Sequence, residues 1–178
     1  MSSPVVDPPR PRRRSIATNG PEATREVGRA IGALVPARTP GSSADRGLVI
    51  RLSGPLGAGK TVLVQGLAEG LGVTTAVKSP TFALEHRHAG RRMLHHFDLY
   101  RLSPGRDLDE LGLADLLAGP DVVAIEWPDR IPDEPDDATL ALTIDWPEGE
   151  PFESDRRQIR IEGPAALVDP LHLPGAPT

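Results

Sequence analysis

The sequence predicts an α/β fold organised around a phosphate-binding strand–loop–helix unit, with an antiparallel hairpin after that unit and a second hairpin near the C-terminus. Three observations predict it. Gly54-Pro55-Leu56-Gly57-Ala58-Gly59-Lys60-Thr61 is a complete G-x-x-x-x-G-K-[ST] pattern. It lies between the apolar run Leu48-Val49-Ile50-Arg51-Leu52, which reads as a buried strand, and Thr61 to Leu71, which reads as a helix. Short apolar or alternating runs bounded by Gly, Pro, Asp and Asn then recur down the chain and fall into pairs.

Composition bounds the rest. At 178 residues, 38% hydrophobic and 25% charged, the chain is long enough for one domain with its own core. It has no cysteine, which excludes disulfides and thiol-based metal sites or catalysis. No apolar run approaches the ~20 residues needed to span a bilayer, and the Pro/Arg-rich start lacks an apolar signal-peptide core. A cytoplasmic protein without membrane association is expected. The net charge of −5 argues against gripping nucleic acid unaided, because such binding depends on neutralising phosphates. Arg10 and Arg12–Arg14 read as a solvated tail rather than an RNA contact.

In chain order, residues 1–14 are expected to be a disordered tail, with a domain over 15–162 and a Pro-rich tail over 163–178. Ser15–Thr18 predicts a short edge strand. Pro21 suits the first turn of a helix, in which Ala23, Val27, Ala30, Ile31 and Leu34 recur at helical spacing. Pro36–Gly47 reads as a loop. After the phosphate loop and its helix, Gly70 and Gly72 supply the stop. Phe82–His86 and Arg92–Asp98 predict two strands turning at Ala89-Gly90. Pro104–Leu117 predicts a broken helix ending at Gly119-Pro120, and Val122–Ile125 a central strand. Leu140, Leu142, Ile144 and Trp146 alternate with polar or small residues, a half-buried strand that Arg157–Glu162 would pair with across a turn over 147–155.

The chemistry gathers at four places. In the loop, glycines let successive N–H groups point at phosphate oxygens, Lys60 reaches the terminal phosphates and the Thr61 hydroxyl holds Mg²⁺. The only two lysines among 20 Lys and Arg residues are Lys60 and Lys78. Lysine is a compact point charge suited to phosphate, where arginine is a planar fork. Lys78 precedes Ser79-Pro80-Thr81-Phe82; it is either part of the site or a solvated surface charge. Thr81 has the look of a switch threonine facing the terminal phosphate, and an ordinary turn would look the same. Val122-Val123-Ala124-Ile125-Glu126 ends an apolar strand on a carboxylate, the place of a second Mg²⁺ ligand. In His96-Phe97-Asp98-Leu99-Tyr100-Arg101, Asp98 would emerge at the carboxyl edge of the sheet to handle the attacking water or complete the metal shell. Arg101 could pair with a carboxylate or phosphate there. The chain has six aromatic Phe, Trp and Tyr residues, and Phe82, Phe97, Tyr100 and Trp127 all lie in or beside these motifs. Trp127 is a candidate for the nucleotide side or for a partner surface.

Taken together, GPLGAGKT, VKSPTF, HHFDLYRL, ELGLADLL and VAIEWPDRI resemble, in order and spacing, the bacterial ATPase family of tRNA threonylcarbamoyladenosine biosynthesis, TsaE. The resemblance runs from about Ile16 to Ile161. It implies a P-loop NTPase-like mixed β-sheet flanked by helices, with ATP and Mg²⁺ as cofactors. It also implies slow intrinsic hydrolysis, and assembly with the two-protein complex that transfers the threonylcarbamoyl group to tRNA. By that resemblance, Gly54, Pro55, Leu56, Gly57, Ala58, Gly59, Lys60 and Thr61 hold the phosphates, Thr61 and Glu126 the metal, Asp98 is the essential aspartate and Trp127 the tryptophan beside the metal glutamate. With the residue reading, Trp127 is expected on the nucleotide and Asp98 and Thr81 in catalysis. The turn near Pro21 and the final hairpin would hold the adenine. The N-terminal tail, the loop at 38–45 and the 147–155 turn are individual to this chain.

Two other readings compete. A small-molecule kinase would need an acceptor pocket and usually a basic lid, and the sequence has no Lys/Arg cluster suited to one. A guanine-nucleotide switch would need an Asn-Lys-x-Asp element, and the only asparagine is Asn19.

Overall fold

The computed structural model describes residues 10–38, 46–80, 83–102, 112–131, 136–152 and 154–173. Its strands are β1 (Arg12–Asn19), β2 (Leu48–Ser53), β3 (Glu85–His88), β4 (Leu94–Asp98), β5 (Val122–Glu126), β6 (Thr139–Asp145) and β7 (Arg156–Gly163). Its helices are α1 (Gly20–Leu34), α2 (Lys60–Gly70), α3 (Leu113–Ala118) and α4 (Ala165–Val168), with a 3₁₀ turn at Pro128–Arg130. The strands form one seven-stranded sheet in the order β1-β7-β6-β2-β5-β4-β3. β2 runs parallel to both β5 and β6, and β5 parallel to β4. The outer pairs β1–β7, β6–β7 and β3–β4 are antiparallel. The sheet is therefore mixed, as expected, and both hairpins are present.

Parallel strands buried on both faces need continuous apolar runs. β2 and β5 provide them, with Ile50, Leu52, Val122, Val123, Ala124 and Ile125 fully buried. One face packs Ile50, Leu52 and Val122 against Val27 and Ile31 of α1 and Leu63, Val64 and Leu67 of α2. The other packs Val49, Val123, Ile125 and Phe97 against Leu99, Leu102, Leu113 and Ile131. Burial of each such Leu or Ile is worth roughly 1.5–3 kcal/mol.

The α1–α2 contact works through missing side chains. A Cβ on Gly28 would lie 2.0 Å from the Leu63 carbonyl oxygen, and one on Gly66 1.8 Å from that of Arg25. The predicted α1 face is therefore only half right. Val27 and Ile31 are buried, Gly28 and Gly32 make the close approach, and Leu34 is left 42% exposed.

Several boundaries move. β1 begins at Arg12, three residues inside the expected N-terminal tail. Arg13 donates to Glu162 and Arg14 to the Leu171 carbonyl, so these arginines are strand residues with partners across the sheet edge. The expected C-terminal tail contains α4, and its Val168, Leu171 and Leu173 are buried against the core. Proline-rich sequence is anchored here because its apolar residues find a surface to cover. The strand expected over 82–86 is Glu85–His88. Leu84 takes a left-handed φ of 59°, which turns the chain before the strand starts. β4 begins at Leu94, because Arg91 and Arg92 cap carbonyls of neighbouring segments instead of pairing as strand. Of the broken helix expected over 104–117, the described part is α3; residues 103–111 lie outside the described residues, as do Thr81 and Phe82.

Candidate functional site

The parallel strands β4, β5, β2 and β6 all end at one edge of the sheet, where α/β folds form their ligand sites. The chain leaves β2 there through the phosphate loop. Gly54, Gly57 and Gly59 have φ values of 138°, 79° and 105°, which only glycine adopts without strain. Gly54 also lies so close to β6 that a Cβ would fall 2.1 Å from the Ile144 carbonyl oxygen. The loop delivers Lys60 and Thr61 to the first turn of α2.

Register brings the acids in. Asp98 of β4 sits directly beside Glu126 of β5, and Leu52 of β2 lies on the other side of Glu126. The Thr61 hydroxyl donates to Glu126 Oε1 at 2.8 Å. Ser79 Oγ donates to Asp98 Oδ2, and the Tyr100 backbone N–H donates to Asp98 Oδ1 at 3.1 Å. Lys60, 4% exposed, donates through Nζ to the carbonyls of Gly54 (2.7 Å) and Pro55 (2.9 Å). Its ammonium also lies 3.9 Å from the centre of the Trp127 ring, on the attractive face of the indole. Burial pushes the Lys60 ammonium below the usual lysine range, and the nearby charges of Glu126 and Asp98 only partly offset that.

Trp127 follows Glu126 in a left-handed conformation, φ 62°. Its backbone N–H donates to the Leu52 carbonyl at 3.1 Å, and the Tyr100 ring lies tilted against its own at 4.9 Å between centroids. These groups line a cleft of about 450 Å³ that also takes in Leu56, Gly57, Gly59, Val62 and Arg101. Of the residues expected at the site, Lys60, Thr61, Asp98, Glu126 and Trp127 thus converge, and Thr81 lies outside the described residues. Lys78 is exposed, and its carbonyl accepts from the His86 ring; it is a surface charge.

Three contributions were not assigned from the sequence. His96 Nε2 lies 2.9 Å from Glu126 Oε1, and Ser79 holds Asp98. Arg157 of β7 donates to the loop carbonyl of Ala58 at 3.0 Å while stacking over Trp146, 4.4 Å from its ring centre. Only His96 had a usable signal: in a strand, the alternation His-Phe-Asp puts His96 and Asp98 on one face.

The donor set suits Mg²⁺ and a polyphosphate. Thr61 and Glu126 offer two hard oxygen ligands within hydrogen-bond distance of each other. Among the described residues the buried Lys60 ammonium hydrogen-bonds neutral carbonyls, which an anion could replace.

Residues 18–159 match the family model described as Threonylcarbamoyl adenosine biosynthesis protein TsaE. The chain belongs to the TsaE family. Among relatives described as tRNA threonylcarbamoyladenosine biosynthesis protein TsaE, that of Nostoc sp. is 47% identical over 100 residues, covering 53% of this chain and 61% of the relative. That of Streptomyces coelicolor is 41% identical over 68% of this chain and 78% of the relative. The chain thus spans about three fifths of the Nostoc protein and more of the Streptomyces one. The crystal structure of Bacillus subtilis YdiB superposes with a TM-score of 0.67 at 28% identity, covering 90% of this chain and 95% of that one. The fold is P-loop NTPase-like, and the family's role lies in tRNA threonylcarbamoyladenosine biosynthesis. No helix among the described residues is long and apolar enough to cross a membrane.

Proposed function

We propose that this protein is a Mg²⁺-dependent P-loop ATPase that supports the two-protein threonylcarbamoyl transferase complex, acting in the cytoplasm and meeting tRNA only through that complex. The observation that carries the reading is the convergence of Lys60, Thr61, Glu126 and Asp98 on one cleft at the carboxyl edge of the parallel strands. In this reading the loop N–H groups and Lys60 bind the β- and γ-phosphates, and Lys60 exchanges its carbonyl partners for phosphate oxygens. Thr61 and Glu126 hold Mg²⁺, which when bound neutralises charge developing between the terminal phosphates. Asp98, oriented by Ser79 and the Tyr100 N–H, accepts the proton of the attacking water. Arg157, Trp146 and the 78% exposed Phe152 flank the loop where the final hairpin meets the turn before Pro21, which Gly20 N–H ties to the Asp155 carbonyl at 2.9 Å. We assign the adenine to that end. Thr81 and the segment after Ser79 would sense whether the terminal phosphate is present.

The test is calorimetric titration of Mg-ATP. A charge-assisted contact is worth roughly 1.5–3 kcal/mol, so Lys60→Ala should weaken binding about ten- to a hundredfold. Unchanged affinity would remove the phosphate-loop assignment. Titrating GTP, and assaying a panel of small metabolites for phosphorylation, separates this reading from a nucleotide switch and from a kinase.

A further inference from the structure

His96 is completely buried, yet its Nδ1 has no hydrogen-bond partner among the described residues. A buried polar atom left unpaired lowers stability, and a fold keeps one when the rest of the side chain has a use. The other ring nitrogen supplies that use, 2.9 Å from Glu126 Oε1. Thr61 donates to the same oxygen at 2.8 Å. Both hydrogen bonds therefore fall on Oε1, and among the described residues none falls on Oε2 of this carboxylate, which lines the cleft. Strand register explains the reach: His96 pairs with Ala124, two residues behind the Asp98–Glu126 pair and on the same face.

We propose that His96 is a positioning residue for the metal carboxylate, holding Glu126 by a hydrogen bond from Nε2–H so that Oε2 is presented to the cation. This rests on the Mg²⁺-nucleotide reading above. The tautomer follows from the surroundings. An unpaired Nδ1 is better tolerated as a bare acceptor than as a stranded N–H donor, so the ring's proton belongs on Nε2. In that tautomer His96 also completes the solvation of a carboxylate that is itself only 3% exposed. Such outer partners of metal ligands orient the ligand without touching the ion.

Two measurements test it on the full chain. In the nucleotide-free protein, ¹⁵N chemical shifts of His96 should report the Nε2–H tautomer; an Nδ1–H tautomer would overturn the proposal. The second is a titration of Mg²⁺ into protein saturated with the non-hydrolysable analogue AMP-PNP, with a control affinity for AMP-PNP in EDTA. His96→Leu and His96→Asn should weaken Mg²⁺ about 10- to 100-fold while leaving the EDTA affinity unchanged. His96→Gln, whose amide nitrogen reaches as far as Nε2, should recover most of the loss. If His96→Leu does not fold, the Gln and Asn variants decide alone. Gln and Asn variants that behave alike, in either direction, contradict the assignment. A wild-type protein whose AMP-PNP binding ignores Mg²⁺ would overturn the nucleotide reading itself, a result distinct from wild-type Mg²⁺ dependence surviving in every variant.

Discussion

Lys60 holds a buried charge against two neutral carbonyls and an indole face, an arrangement that becomes favourable when a phosphate arrives. Because burial lowers its pKa, the ammonium is lost at a lower pH than on an ordinary lysine. Triphosphate affinity should therefore decline as pH rises, and do so at a lower pH than an ordinary lysine would give. Affinities measured from neutral into alkaline pH check this, with Lys60→Ala expected to flatten the profile. In the proposed mechanism the acids separate by role. Asp98→Asn should bind Mg-ATP nearly as the wild type does but hydrolyse it about 10²–10⁴-fold more slowly. Equal losses of affinity and rate would move Asp98 into the metal shell. Glu126→Ala should diminish the Mg²⁺ dependence of binding. The residue identities at this site were legible because each stood in a motif whose spacing has a chemical reason. The hydrogen bonds of His96 and Ser79 were not, because they depend on which strand lies beside which.

Helix α1 shows what periodicity reads and what it omits. A pattern of apolar side chains found Val27 and Ile31, but the closest approach to α2 is made by glycines, which contribute no hydrophobic signal. Gly66→Ala would force a methyl group against the Arg25 carbonyl, a backbone atom that cannot swing away, at 1.8 Å. Overpacking of this kind costs about 1–3 kcal/mol or more, so thermal denaturation should show a clearly lowered midpoint. An unaltered midpoint would mean that the helices pack less closely than described. The same limit applies at the chain ends. Arg12–Arg14 and Leu171 look like solvated tail until β7 and the core give them partners. By contrast β2, β5 and β6 were readable almost to the residue, since buried parallel strands and half-buried alternation each carry their own pattern.

At the scale of the molecule, strand order assembles the site. β5 lies between β2 and β4, so the phosphate loop, Glu126 and Asp98 meet at one edge although they are widely separated in sequence. No local pattern encodes that order, and the family resemblance implied only a mixed sheet flanked by helices. The same edge exposes Leu56 (70%) and Tyr100 (47%) beside the candidate cleft, and Ser79 is held to Asp98 there. In the proposed reading, a triphosphate site with this setting, on a chain of net charge −5, belongs to a component whose ATP cycle is read by protein partners. Thr81→Ala should then reduce stimulation by those partners more than it reduces ATP affinity. The most direct measurement is phosphate release from Mg-ATP, with and without the threonylcarbamoyl transferase pair, over a range of partner concentrations. Release that is slow alone and rises with the pair until saturation is the predicted result; equal rates at every partner concentration would contradict it.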